Sequence, residues 1–194
     1  ELSSRANDAI ERNILLPTIH GMMREGRRFQ GVLFAGIMMT AGGPKVLEYN
    51  VRFGDPETQV LMMRFTSDIV PYLKACADGT LEELDAPDWT PSPACTVILA
   101  SPGYPGDYPK GLPITGLDNI EQSESLQVFH AGTKIVDGQL QTNGGRVLAV
   151  TALGESIADA RQKAYAAAEK IEFEGKQMRT DIGLAAELAG GVSY

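Results

Sequence analysis

The sequence has few residues of the kinds that build metal or redox centres. Two cysteines, Cys76 and Cys95, and two histidines, His20 and His130, occur among 194 residues. They share no ligand or redox spacing, which excludes a zinc site, a CxxC centre and a disulfide framework. Packing in buried or half-buried positions is the expected role of all four. Long apolar runs are missing too: none approaches the roughly 18 residues needed to cross a bilayer, and no secretory leader pattern opens the chain. Positive charge is scarce, with 17 Lys+Arg against 25 Asp+Glu and a net charge of −8. That balance excludes an overall footprint for nucleic acid or an anionic membrane, while leaving room for a local phosphate pocket. These absences fit a cytoplasmic protein. The chain starts at Glu1 directly in a helical pattern, so a piece of a longer polypeptide is expected.

What is present is an ordinary globular composition, 43% apolar and 22% charged, with enough chain to bury a core. Ile10, Ile14, Ile19, Met22 and Met23 give Leu2 to Gly26 a helical pattern, capped by Gly26 and interrupted at Pro17 by a kink or a junction of two helices. Gly31 to Met39 is a near-continuous apolar run, as in a strand buried on both faces. Ala41 to Pro44 forms a turn and Lys45 to Phe53 a second strand, completing a hairpin. Asp55 as N-cap and Pro56 as first helical residue open a helix towards Phe65, and Ile69 to Ala77 forms another. The proline-rich stretch Asp85 to Pro93 marks a linker. Short strands follow at Cys95–Ala100, Gln127–His130, Thr133–Val136, Gln139–Thr142 and Arg146–Ala152, with a type I′ turn at Asp137-Gly138. Ser156 then caps a helix with Asp159 as its capping-box partner, and Ile157, Ala160, Ala164, Ala167, Ala168 and Ile171 form its buried stripe. The expected fold class is α+β, with one domain over residues 1–86 and a small β-rich domain, closed by a helix, over residues 87–194.

Chemistry concentrates on the second strand. Alternation puts Glu48, Asn50 and Arg52 on one face, about 6.6 Å between neighbours, and Leu47, Tyr49, Val51 and Phe53 on the other. A carboxylate, an amide oxygen and a guanidinium in a row suit Mg²⁺ and phosphate, since Mg²⁺ takes a few hard oxygens from protein and the rest from phosphate and water. The same pattern also describes a solvated polar face of a half-buried strand. Asp55 and Glu57, at the mouth of the next helix, are explained by helix capping and dipole alone, yet they set a second polar cluster beside Arg52. Three glycine-rich pieces, Pro102–Tyr108, His130–Thr133 and Thr142–Arg146, are candidate anion loops or plain turns. Arg146, beside two glycines, suits a phosphate contact. No P-loop or dinucleotide fingerprint occurs.

The segment LEYNVRFGDPETQ, Leu47 to Gln59, resembles the signature of the glycinamide ribonucleotide synthetase (phosphoribosylamine–glycine ligase) family. GVLFAGIMM, SPGYPGDYPKG, VFHAGT, TNGGRVLAVTALG and the closing Arg179-Thr-Asp-Ile-Gly183 fall in the family's order, so the resemblance covers nearly the whole chain. It implies the second half of an ATP-grasp domain followed by the β-rich C-terminal domain. The implied activity is ATP-dependent joining of glycine to 5-phosphoribosylamine in purine biosynthesis, through glycyl phosphate, with release of ADP and phosphate. By the family pattern Glu48 and Asn50 are ligands of Mg²⁺ or Mn²⁺, Arg52 is catalytic beside the transferring phosphoryl group, and Asp55 or Glu57 receives the glycine ammonium. Arg146 is the candidate for the ribosylamine phosphate. The first acidic metal ligand of many ATP-grasp ligases falls here on Ala35 or Gly36, which leaves a two-ligand protein site. The N-terminal part of the enzyme is missing, and the fragment alone is expected to be inactive. Another ATP-grasp carboxylate–amine ligase and a non-catalytic β-rich module are the competing readings.

Overall fold

The computed structural model describes residues 3–189. By packing the chain forms two units: residues up to Gly54 together with Asp68–Ala86, and Asp55–Ser67 together with the residues from Pro87 onward.

In the first unit, α1 (Ser4–Ile10) runs through a π-helical turn (Glu11–Leu15) into α2 (Leu16–Arg24). Ser3 caps α1 by accepting the Ala6 amide. Pro17 has no N–H to give the preceding turn, and the helix widens just before it, with the Leu16 amide reaching back to Glu11 O. The expected interruption at Pro17 is thus a π turn between two abutting helices. Gly26, at φ 72°, ends α2. Its amide bonds Met23 O and that of Arg27 bonds Met22 O, the paired bonds of a Schellman cap. Strands β1 (Phe34–Thr40) and β2 (Gly43–Asn50) form an antiparallel hairpin across Ala41-Gly42. Helix α4 (Ile69–Asp78) is N-capped by Asp68 and C-capped by left-handed Gly79. Gln30 Nε2 donates to its last carbonyls, Cys76 O and Ala77 O, at 2.9 and 2.7 Å.

Two expectations for this unit need correction. β1 is not buried on both faces: its one strand partner among the described residues is β2, and a two-stranded ribbon leaves Met38 and Met39 50% and 44% exposed. Nor does β2 reach Phe53. Pairing stops at Phe34–Asn50, where β1 begins, and the chain bends at Val51 and Arg52. A bulge opposite the Gly36–Ile37 step leaves Leu47 without a cross-strand partner.

The second unit is built on a three-stranded antiparallel sheet in the order β3 (Ala94–Ala100), β7 (Arg146–Leu153), β4 (Leu126–His130). β5 (Thr133–Val136) and β6 (Gln139–Thr142) make a separate ribbon, turned by Asp137 and Gly138 with the positive φ values that a type I′ turn requires. Helix α5 (Ile157–Ala168) lays Ala160, Ala164, Ala167 and Ala168 against β3 and β7, in one core with Val97, Leu99, Leu148 and Ile171. Ser156 accepts the Asp159 amide as its cap, and Asp159 returns a bond to the Glu155 amide, one residue earlier than a standard capping box. Helix α3 (Glu57–Arg64) packs on β7 and β3. It lies in sequence between elements of the first unit, but the proline-rich stretch fastens it here. Thr90 N and Thr66 N bond Arg64 O and Asp88 O, and Phe65 meets Trp89 edge-on at 5.1 Å. Of the four residues assigned to packing, Cys95 is buried and Cys76 half-buried, whereas both histidines are exposed.

Candidate functional site

The sequence-expected residues fall in two groups. In the first unit Glu48 and Asn50 project from the same face of β2, and Asn50 Nδ2 donates to Glu48 Oε1 at 3.1 Å. The position across the ladder from Glu48 is Gly36, which has no side chain, and a Cβ there would lie 3.1 Å from Glu48 Cγ. Arg52 stands past the end of the strand, exposed, with Nη1 donating to Phe53 O at 2.8 Å. Its place in a row with Glu48 and Asn50 therefore rests on the bend, not on strand alternation.

In the second unit Asp55 and Arg146 come together. Arg146 Nη1 donates to Asp55 O at 2.7 Å, and its Nε lies 3.7 Å from Asp55 Oδ2. This guanidinium ties the approach to α3 to the first residue of β7. Asp55 is not the N-cap expected of it. Pro56 holds that position without a side-chain cap bond, because helical geometry starts one residue later, and Asp55 Oδ1 instead accepts from Gln59 Nε2 at 3.2 Å. Glu57 opens α3, where a negative charge complements the helix dipole.

The three glycine-rich loops converge, and they bond one another. Gly132 N donates to Arg146 O, Asn143 N to Gly132 O, and Ser101 N to Gly145 O. A Cβ on Gly132 would meet Gly144 Cα at 2.5 Å, and one on Gly145 would meet the Tyr104 ring at 2.2 Å, so glycine is required for this approach. These amides shape the end of β7 that presents Arg146.

A cleft of about 390 Å³ opens beside the start of α3, lined by Glu57 and Val60 on one side and Thr96, Ile98, Arg179 and Ile182 on the others. Sequence reasoning gave Arg179 no role. Its guanidinium chelates the Asp181 carboxylate, with Nε–Oδ1 at 2.8 Å and Nη2–Oδ2 at 2.5 Å. That bond holds the Asp181 carboxyl below the ordinary carboxylate range and raises Arg179 further. The signal was the Arg-x-Asp spacing of the closing motif.

Comparison with known proteins adds to this geometry. Residues 94–185 match the family described as phosphoribosylglycinamide synthetase, C domain, and residues 1–58 match phosphoribosylglycinamide synthetase, ATP-grasp (A) domain. Phosphoribosylamine–glycine ligase of Rhodopirellula baltica is 51% identical over 173 residues, covering 89% of this chain and 40% of the relative. The protein of the same name from Agrobacterium fabrum is 54% identical over 172 residues, with the same coverage. The crystal structure of phosphoribosylamine–glycine ligase from Thermotoga maritima superposes with a TM-score of 0.79 at 39% identity, covering 93% of this chain and 44% of that one. The chain thus spans about 40% of the length of these curated relatives.

Proposed function

Because the chain belongs to the phosphoribosylglycinamide synthetase family, we propose that it is the C-terminal portion of an enzyme that joins glycine to 5-phosphoribosylamine. Residues 1–86 are the second half of its ATP-grasp domain and residues 87–194 its β-rich C-terminal domain. ATP is the energy donor, glycinamide ribonucleotide, ADP and phosphate are the products, and the cytoplasm is the location that goes with this step of purine biosynthesis. The observation that carries the reading is the oxygen pair on β2, inside the segment matched to the ATP-grasp domain.

Glu48 and Asn50 fit Mg²⁺ or Mn²⁺, which take carboxylate and amide oxygens. Asn50 turns its amide nitrogen to Glu48 Oε1, leaving Asn50 Oδ1 and Glu48 Oε2 as the oxygens for an ion. Among the described residues no group of three or more His, Cys, Asp or Glu could hold a metal, so phosphate and water complete the shell. The ion, when bound, neutralises phosphate charge and orients the γ-phosphoryl group. The residues of the chain do the rest. Arg52 stabilises charge on the phosphoryl group as a glycine carboxylate oxygen attacks it and ADP departs. The phosphoribosylamine nitrogen then attacks the glycyl carbonyl, phosphate leaves, and the nitrogen gives up a proton. Asp55, Glu57 and Arg146 bind the substrates: a carboxylate takes the glycine ammonium and Arg146 the ribosylamine phosphate.

The test is ADP release by the full-length enzyme in the presence of Mg²⁺, with glycine and phosphoribosylamine each omitted in turn and a Glu48→Gln variant alongside. Release that needs both substrates and falls by about 100-fold or more in the variant supports the reading. Release with a different acid or amine would move it to another ATP-grasp ligase. The 194 residues alone are expected to release no ADP.

A further inference from the structure

On the basis of that ligase reading, we propose that the cleft beside α3 is the subsite for the phosphorylated amine, with Arg179 sharing its phosphate with Arg146 and Glu57 accepting from its amine. The cleft combines one acid, one base and an aliphatic floor of Val60, Ile98 and Ile182. A sugar monophosphate bearing an amine matches that combination, carrying a hydrogen-bond donor at one end, an oxyanion at the other and a ring between. Glycine has the same two kinds of end, but would leave most of about 390 Å³ unfilled.

The support around Arg179 is what singles it out. Helix α5 holds the main chain of the segment at four points. Tyr165 Oη donates to Arg179 O at 2.7 Å and accepts from Ile182 N at 3.1 Å. Arg161 donates to Thr180 O at 2.8 Å and Ile182 O at 3.0 Å, and its guanidinium lies 4.9 Å over the Tyr165 ring. The backbone is fixed, while the Arg179 side chain stays 72% exposed. A rigid base under a free guanidinium is how a binding residue is preorganised.

Arg179 already grips an oxyanion in the two-pronged geometry that also fits phosphate. Asp181 is therefore a stand-in for the ligand, and an exposed ion pair of this kind is weak enough to exchange. Arg146 alone is a poor host for a phosphate monoester, which carries nearly two negative charges, because one of its nitrogens is committed to Asp55 O. A second guanidinium is needed, and the cleft supplies it.

The experiment uses the full-length enzyme with Arg179→Gln, Arg179→Lys and Asp181→Asn. Arg179→Gln should raise the KM for phosphoribosylamine about tenfold or more and leave those for glycine and ATP unchanged. Arg179→Lys, which keeps the charge and loses the fork, should fall between. Ribose 5-phosphate, titrated calorimetrically without turnover, should bind wild type, bind Arg179→Gln about tenfold more weakly, and bind Asp181→Asn as tightly as wild type or tighter. A rise in the glycine KM, unchanged values in every variant, or equal weakening in Arg179→Gln and Asp181→Asn would overturn the proposal, the last by showing a structural ion pair. No binding of ribose 5-phosphate to wild type would overturn it as well. Failure of the ligase reading is a separate result, because it shows as wild-type turnover with other substrates.

Discussion

β1 carries Phe-Ala-Gly-Ile-Met-Met and β7 carries Val-Leu-Ala-Val-Thr-Ala, yet the two strands finish in opposite surroundings. From Val147 to Ala152 every residue of β7 is at most 1% exposed, because α5 and α3 both pack on its sheet and β3 and β4 flank it. β1 has one partner strand, and Met38 and Met39 at its end are half open. An apolar run therefore sets a strand's capacity for burial, and the elements around it decide whether that capacity is used. The polar residues follow the same division. Thr151, buried in β7, satisfies its hydroxyl against Thr96 at 2.7 Å, whereas Glu48 and Asn50 stand on an open ribbon where their oxygens remain available.

The sharpest way to break this contrast is a pair of truncations. Leu148→Ala empties a fully buried site in the sheet of the second unit and should cost about 2–5 kcal/mol, whereas Met38→Ala on the ribbon should change stability by less than about 0.5 kcal/mol. Trp89 is the single tryptophan and belongs to the second unit, so its fluorescence in a urea titration follows the first variant directly. Circular dichroism follows the second. Equal losses would mean that β1 is as buried as its composition suggests.

A smaller effect is expected at the start of α5. Ser156→Ala removes the hydroxyl that accepts the Asp159 amide and should cost about 1 kcal/mol. The acid side of the stability curve carries the partner's signature. Lys163 first, and then the Glu155 amide, hold the Asp159 carboxyl below its ordinary range. A depressed folded value means stability that is present above the unfolded carboxylate value and lost as pH falls through the folded one. Asp159→Asn should flatten that acid limb and leave the neutral-pH midpoint less changed. An unaltered acid limb would show that the bond contributes nothing in solution.

Much of the fold was legible because its signals are local. Gly26, Gly79, Ser156 and Asp137-Gly138 each act within one turn of backbone, and each does what the sequence predicts. The misses are all non-local. The end of β2 at Asn50 is set by where β1 begins, and the bulge at Leu47 by the register of the opposite strand. Asp55 reads as a cap from its neighbours in sequence, but Arg146, 91 residues away, reclaims it. The polar face of β2 was legible for the same reason as the caps, since alternation alone pairs Glu48 with Asn50. Arg179 was not, because its role depends on Arg161 and Tyr165 holding the loop from another helix.

The smallest stability effect tests the open face itself. Glu48→Gln and Gly36→Ala alter residues that no core depends on, so each should shift the unfolding midpoint by less than about 0.5 kcal/mol. Both should nevertheless weaken Mn²⁺ binding in the full-length enzyme, by about tenfold or more for Glu48→Gln, which loses a charged oxygen. The loss should be smaller for Gly36→Ala, whose added methyl at 3.1 Å from Glu48 Cγ must push that side chain aside. Electron paramagnetic resonance of Mn²⁺ reads this directly, since free and bound ion differ. A ribbon kept for structure would give the reverse pattern, with stability falling and metal affinity unmoved. The Gly36 variant separates the two most cleanly, because it leaves every oxygen in place and changes only where Glu48 can stand.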